Sequence, residues 1–170
     1  MTSPATPPYP LGQAMGTTCP AFLKGHQSSH ADLDYEATGV RKTLSAQMID
    51  AVIVKQTGAS AIAPGSLVKW SVPGTEIAAV AGANEVPCGV VDPYLTASVA
   101  QNEYCWVIQS GPCNVLSSAA IAANAPITTA ASGKSVTSSY TTEQAVAGRQ
   151  IDEATDADQL RRTLVCCSNI

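Results

Sequence analysis

Charge is scarce in this sequence. Only 13% of the 170 residues are Asp, Glu, Lys or Arg, about half of the roughly 25% typical of a globular domain. Thirteen acidic and nine basic residues leave a net charge of −4. No Lys or Arg falls between Lys69 and Lys134, and basic residues are adjacent only at Arg41-Lys42 and Arg161-Arg162. A nucleic-acid surface needs clustered cations to displace counterions, so a DNA or RNA partner is not expected. Aromatics are equally scarce, at 5% with a single Phe. The core must therefore come from Val, Ile, Leu and Ala. No run approaches the roughly 18–20 apolar residues that span a bilayer. The opening MTSPATPPYPLG has neither the basic nor the apolar segment of a secretory signal. Neither a membrane partner nor secretion is expected, and assembly in the cytoplasm is.

Catalytic and metal signatures are also missing. There is no G-x-S-x-G, no H-E-x-x-H and no P-loop. The six cysteines, at 19, 88, 105, 113, 166 and 167, never form C-x-x-C. They read as small buried hydrophobes, although neighbours in a strand face opposite ways and Cys166 and Cys167 cannot both face one core. His26 and His30 lie close to Cys19 and Asp32, all metal-ligand types, but Gly25, Ser28 and Ser29 disfavour the helix that would align the two histidines. The acidic run Asp152-Glu153-Ala-Thr-Asp156-Ala-Asp158 lacks the Gly and bidentate Glu of an EF-hand and reads as a solvated loop. No catalytic residue, cofactor or metal is expected.

What is abundant is small and neutral: 59 residues are Ala, Ser or Thr. Their distribution divides the chain. Residues 1–45 hold Pro4, Pro7, Pro8, Pro10 and Pro20 with Gly12, Gly16, Gly25 and Gly39. Each proline lacks an N–H for a sheet ladder. This segment is expected as an extended arm, ordered only against a partner. Tyr9, Leu11, Met15, Phe22, Leu23 and Leu33 are its candidate partner-binding anchors.

Residues 46–170 carry short apolar runs with turn residues between them. Gln47–Lys55, Ser66–Val72, Val86–Val91, Tyr104–Gln109, Cys113–Leu116, Ala125–Thr129, Lys134–Thr137 and Arg161–Cys167 predict strands. Helical turns are predicted only within Tyr140–Gln150 and Ala154–Leu160. The expected fold is all-β, a small barrel or sandwich. A 59-residue shift superposes Ala61-Ile62-Ala63-Pro64-Gly65 on Ala120-Ile121-Ala122-Ala123-Asn124, Gly74 on Gly133, and Gly89 on Gly148. This predicts two similar halves that share one core, because neither alone buries its apolar face.

The order A-I-A-x-G, G-V-V-D, A-I-A, S-G-K-S-V and Ala147-Gly148-Arg149-Gln150-Ile151-Asp152-Glu153-Ala154 before a last strand resembles the capsid decoration, or cement, proteins of tailed bacteriophages. The resemblance covers about 58–170. Arg149 and Gln150 stand where that family has an apolar pair, and the proline-rich arm has no fixed counterpart. The resemblance implies a structural virion protein, not an enzyme. It would bind the major capsid protein on the outer capsid surface and associate with itself as a homotrimer. A tail, fibre or adhesin-like β domain that binds a host surface is the alternative.

Overall fold

The computed structural model describes residues 9–35, 40, 42–83, 85–138 and 146–167. Ten strands form, in chain order: β1 Gln27–Leu33, β2 Thr43–Gln56, β3 Leu67–Val72, β4 Glu76–Ala79, β5 Gly89–Val91, β6 Tyr104–Leu116, β7 Pro126–Thr129, β8 Ser135–Thr137, β9 Gly148–Gln150 and β10 Leu160–Cys166. Among the described residues helix is confined to two single 3-10 turns, Ala21–Leu23 and Ala131–Gly133. The fold is all-β, as the sequence predicts. The helical turns predicted within Tyr140–Gln150 and Ala154–Leu160 fare differently. Gly148–Gln150 is β9, Ala154 bridges Ile121, and residues 140–145 lie outside the described residues, as do residues 1–8 of the proline-rich segment.

The strands close into two small rings that share β6. In the first, β2, β4, β3, β5 and the beginning of β6 pair in turn, and β6 pairs back with β2. The β2–β4 contact is parallel, Lys55↔Glu76, and the other contacts are antiparallel. In the second, the end of β6 pairs with β10, then come β9, β7 and β8. A parallel bridge, Ser117↔Ser135, brings β8 back beside the end of β6. Ser110 belongs to both of β6's long ladders, paired with Asp50 and with Cys166. The sequence predicts two strands broken at Ser110-Gly111-Pro112. The structure instead runs one strand through them. Past Ser110 the β2 ladder ends and β6 pairs with β10, so the missing proline N–H is tolerated there.

The predicted duplication is present in the hydrogen bonds. Gly65 N–H donates to Val91 O at 3.0 Å and Asn124 N–H to Gln150 O at 2.9 Å; Cys88 N–H donates to Val68 O and Ala147 N–H to Ile127 O, both at 2.8 Å. The bridge Ile62↔Val99 in the first half is answered by Ile121↔Ala154 in the second. Gly89 and Gly148 each lie flat against the neighbouring strand. A Cβ on Gly89 would strike Val107 and the carbonyl of Ile108, and one on Gly148 the carbonyl of Leu164.

The halves differ inside. Buried Val52, Val54, Val68, Ile77, Val91 and Val107 fill the first ring. In the second, Gln150 and Thr163 are both buried, and Thr163 Oγ1 donates to Gln150 Oε1 at 3.1 Å. A satisfied polar pair thus replaces an apolar one, which avoids the cost of an unpaired buried group.

Candidate interaction surface

The six arm residues are the sequence's candidate site, and the structure separates them. Leu11 (1% exposed), Met15 (3%) and Leu23 (9%) are buried in the chain's own core, together with Cys19. Tyr9 is half-buried against the same cluster. Leu33 is half-buried in β1. Phe22 alone is fully displayed, at 84% exposure.

The expectation of a free arm over 1–45 therefore does not hold for residues 9–35. Residues 9–25 form a strap across the barrel, and 27–33 form β1, paired antiparallel with β2. The strap needs no sheet ladder, so its prolines do no harm. Its backbone is tied at separate points: Gly12 N–H donates to Asp92 Oδ2 at 2.6 Å, Tyr104 N–H to Gly16 O at 2.9 Å, Trp106 Nε1–H to Tyr9 O at 2.9 Å, and Gly25 N–H to Ile53 O at 2.7 Å. Gly12 and Gly16 turn the chain at φ 84° and 57°, conformations that glycine adopts without steric cost. Positions 11, 15, 19 and 23 recur every four residues, but no helix forms to give that spacing meaning, and their burial comes from long-range contacts.

Asp92 is fully buried beneath the strap. Its carboxylate accepts from Gly12 N–H and, at 3.0 Å, from Tyr94 N–H. Burial outweighs these two donors and raises its pKa to about 6. Asp32, also fully buried, meets the Arg162 guanidinium and accepts from Ser45 Oγ at 2.5 Å. This pair ties β1 to β10. The sequence singles out Asp32 only as a metal-ligand type and Asp92 not at all, because nothing local distinguishes either from a surface acid.

The residues considered for metal do not converge. His30 stands edge-on to Trp106, with ring centroids 5.0 Å apart, and burial lowers its pKa. Asp32 is engaged by Arg162. In the acidic loop Asp158 pairs with Lys134, and Asp156 Oδ1 accepts from Ala157 N–H. Among the described residues no three His, Cys, Asp or Glu side chains gather as a metal site. All six cysteines are free, and burial raises the thiol pKa of Cys88, Cys105 and Cys113. Cys166 is exposed and Cys167 buried, as adjacent strand positions require.

Surface chemistry is thus carried by neutral sheet faces and a few displayed apolar side chains. Besides Phe22 these include Met48 (51% exposed) and Leu164 (38%). A cleft of about 660 Å³ between the two rings is lined by small residues, among them Ala61, Ala63, Ala79 and Gly133.

Two small rings built on one shared strand, with a strap sealing one side, place this chain among all-β proteins. No protein-family model matches it, and no curated protein does. Among solved structures, the N base of the head fiber protein gp8.5 of bacteriophage phi29 is similar in fold. The TM-score is 0.51 at 19% identity, over 71% of this chain and 98% of that one.

Proposed function

We propose that this chain is a structural component of a bacteriophage virion, carried on the outer surface of the head and docked on the major capsid protein lattice. The observation that carries the reading is the fold itself, which is similar to that of a phage head fiber base. The cement-protein resemblance of residues 58–170 supports the same reading from the sequence. The surface agrees with it. Small neutral side chains and few charges cost little to desolvate, which suits a protein that acts by burying surface on other proteins.

Phe22 is the strap residue best placed to meet the coat, since the buried strap fixes its backbone while its ring stays in water. Association of several copies multiplies modest contacts. The resemblance implies that the assembly is a homotrimer. The second reading, a fibre or adhesin-like domain that binds a host surface, draws on the same comparison, because that neighbour is part of a fiber.

Co-sedimentation of the purified chain with bare capsids tests the proposal. Binding that saturates and weakens on Phe22→Ala supports it. No binding to capsids, with binding to host cells, favours the second reading.

A further inference from the structure

One sheet face lies open to solvent, and the registers define it. Ser29↔Asp50, Asp50↔Ser110 and Ser110↔Cys166 form one row across β1, β2, β6 and β10. Directly paired residues share a face, and so do residues two apart in a strand. Met48 therefore projects on the β2 side of this face, and Leu164 on the β10 side. Both lie in the direction that leads from Ser110 to Pro112. Leu164 pairs in turn with Arg149 of β9. Met48, Leu164, Cys166, Asp50 and Arg149 are all exposed.

The exposed charges on this face are two, and they sit apart; Arg162, two residues before Leu164 on β10, is half-buried and already paired with Asp32. Asp50 on β2 accepts from Ser29 Oγ at 2.5 Å and Ser110 Oγ at 2.8 Å, which fixes its carboxylate. Arg149 on β9, three strands away, donates to Asn124 O at 2.6 Å. Between them lie apolar and neutral side chains.

We propose that this face is where a second copy of the chain docks, sheet on sheet, about a two-fold axis that runs along the strands between β6 and β10. That operation lays β2 of one copy over β9 of the other. Met48 then packs on the aliphatic stem of the partner copy's Arg149. The guanidinium reaches the partner copy's Asp50, one pleat repeat of about 7 Å along the strand. The face is self-complementary: acid at one side, base at the other, apolar between, as an isologous contact requires. Elsewhere two copies of net charge −4 repel each other. The occupant is therefore another copy rather than a partner whose chemistry would leave one of the two charges unanswered. This pair is two-fold, in place of the three-fold assembly that the family resemblance implies, and it does not depend on docking to a capsid.

Cys166 gives the direct test. Stacked sheets lie about 10 Å apart and neighbouring strands about 4.8 Å, so the two Cys166 backbones fall about 11 Å from each other, and the thiols, which project into the gap, lie closer. A short bismaleimide is expected to link two full-length chains through Cys166, and Cys166→Ser to abolish the link. Light scattering of the concentrated wild-type chain is expected to give twice the 17.4 kDa chain mass. Leu164→Arg or Met48→Arg should return it to a monomer with an unchanged melting temperature. Asp50→Lys and Arg149→Glu should each weaken the pair, and together restore it. A monomeric wild type, a three-chain mass, or a pair indifferent to these substitutions overturns the proposal. Capsid co-sedimentation is a separate readout, so loss of the pair and loss of the capsid reading are distinguishable.

Discussion

Asn124 repeats Gly65. The two residues, 59 positions apart, turn the chain with the same left-handed backbone, φ 65° and 75°, and each donates its N–H across its ring, to Gln150 O and Val91 O. Asn is among the few side-chain-bearing residues that adopt this conformation readily. The pairing shows what the duplication conserves: turn geometry and backbone bonds, not side-chain identity. The interiors were then free to diverge, to Val91 and Val107 in one ring and Gln150 and Thr163 in the other.

The close approaches at Gly89 and Gly148 lead to a first prediction. In each half a Cβ would strike the neighbouring strand's backbone, at Ile108 and at Leu164. Gly89→Ala and Gly148→Ala are each expected to cost about 1–3 kcal/mol, the range of overpacked sites. Urea unfolding of both variants checks this. A neutral effect at either position would show that its ring is not closed as described.

The strap supplies a second. Leu11→Ala and Met15→Ala should each remove about 2–5 kcal/mol, as buried large-to-small substitutions do, while Phe22→Ala leaves stability unchanged. Deletion of residues 2–24 should lower the melting temperature sharply rather than release an independent barrel. Thermal melts of the four variants separate an integral strap from a free arm.

Acid should tighten the strap. Asp92 has a folded pKa of about 6, raised by burial above the ordinary carboxylate value of about 3.9. The folded state therefore binds this proton more strongly than the unfolded state does. The stability it contributes is fully present below about pH 3.9 and is lost as pH rises through about 6. His30, lowered by burial, works the opposite way and gains stability as pH rises through its unfolded value near 6.5. Asp92→Asn should abolish the Asp92 component alone. Denaturation from pH 4 to 7 and amide exchange at Gly12 report it, and strap opening on acidification would contradict the assignment.

Arg162 and Asp32 form a pair that is safer whole than halved. Arg162→Leu leaves a fully buried carboxylate with Ser45 as its remaining partner. Removing one member of a buried pair costs about 3–5 kcal/mol. Arg162→Leu with Asp32→Leu should recover much of that loss, measured by urea unfolding of the single and double variants.

The strands and the repeat were legible in the sequence because they are local. Gln47–Lys55 carries β-branched residues at strand spacing, and the paired glycines mark turns at Gly74 and Gly133 and close strand contacts at Gly89 and Gly148. The strap was not legible as core. Its four buried residues meet the barrel through long-range contacts, and proline content argued only against a ladder that the strap does not use. The continuous β6 was missed because Ser110-Gly111-Pro112 is a turn signal in isolation; its place is set by the close passage of Met48 and Ile49 over Gly111. Nothing in the spacing of the six arm residues separates Phe22, which is displayed, from Leu11, Met15 and Leu23, which are buried. Asp32 and Asp92 acquire their roles only from residues 130 and 80 positions away.

Copy number in the intact virion tests the central claim most directly. Quantitative mass spectrometry of purified particles gives the ratio of this chain to the major capsid protein. A head-surface protein docked on the lattice predicts a ratio that follows the number of coat subunits, a fixed simple fraction of them. A chain present in only a few copies per particle, or absent from the virion, would contradict it.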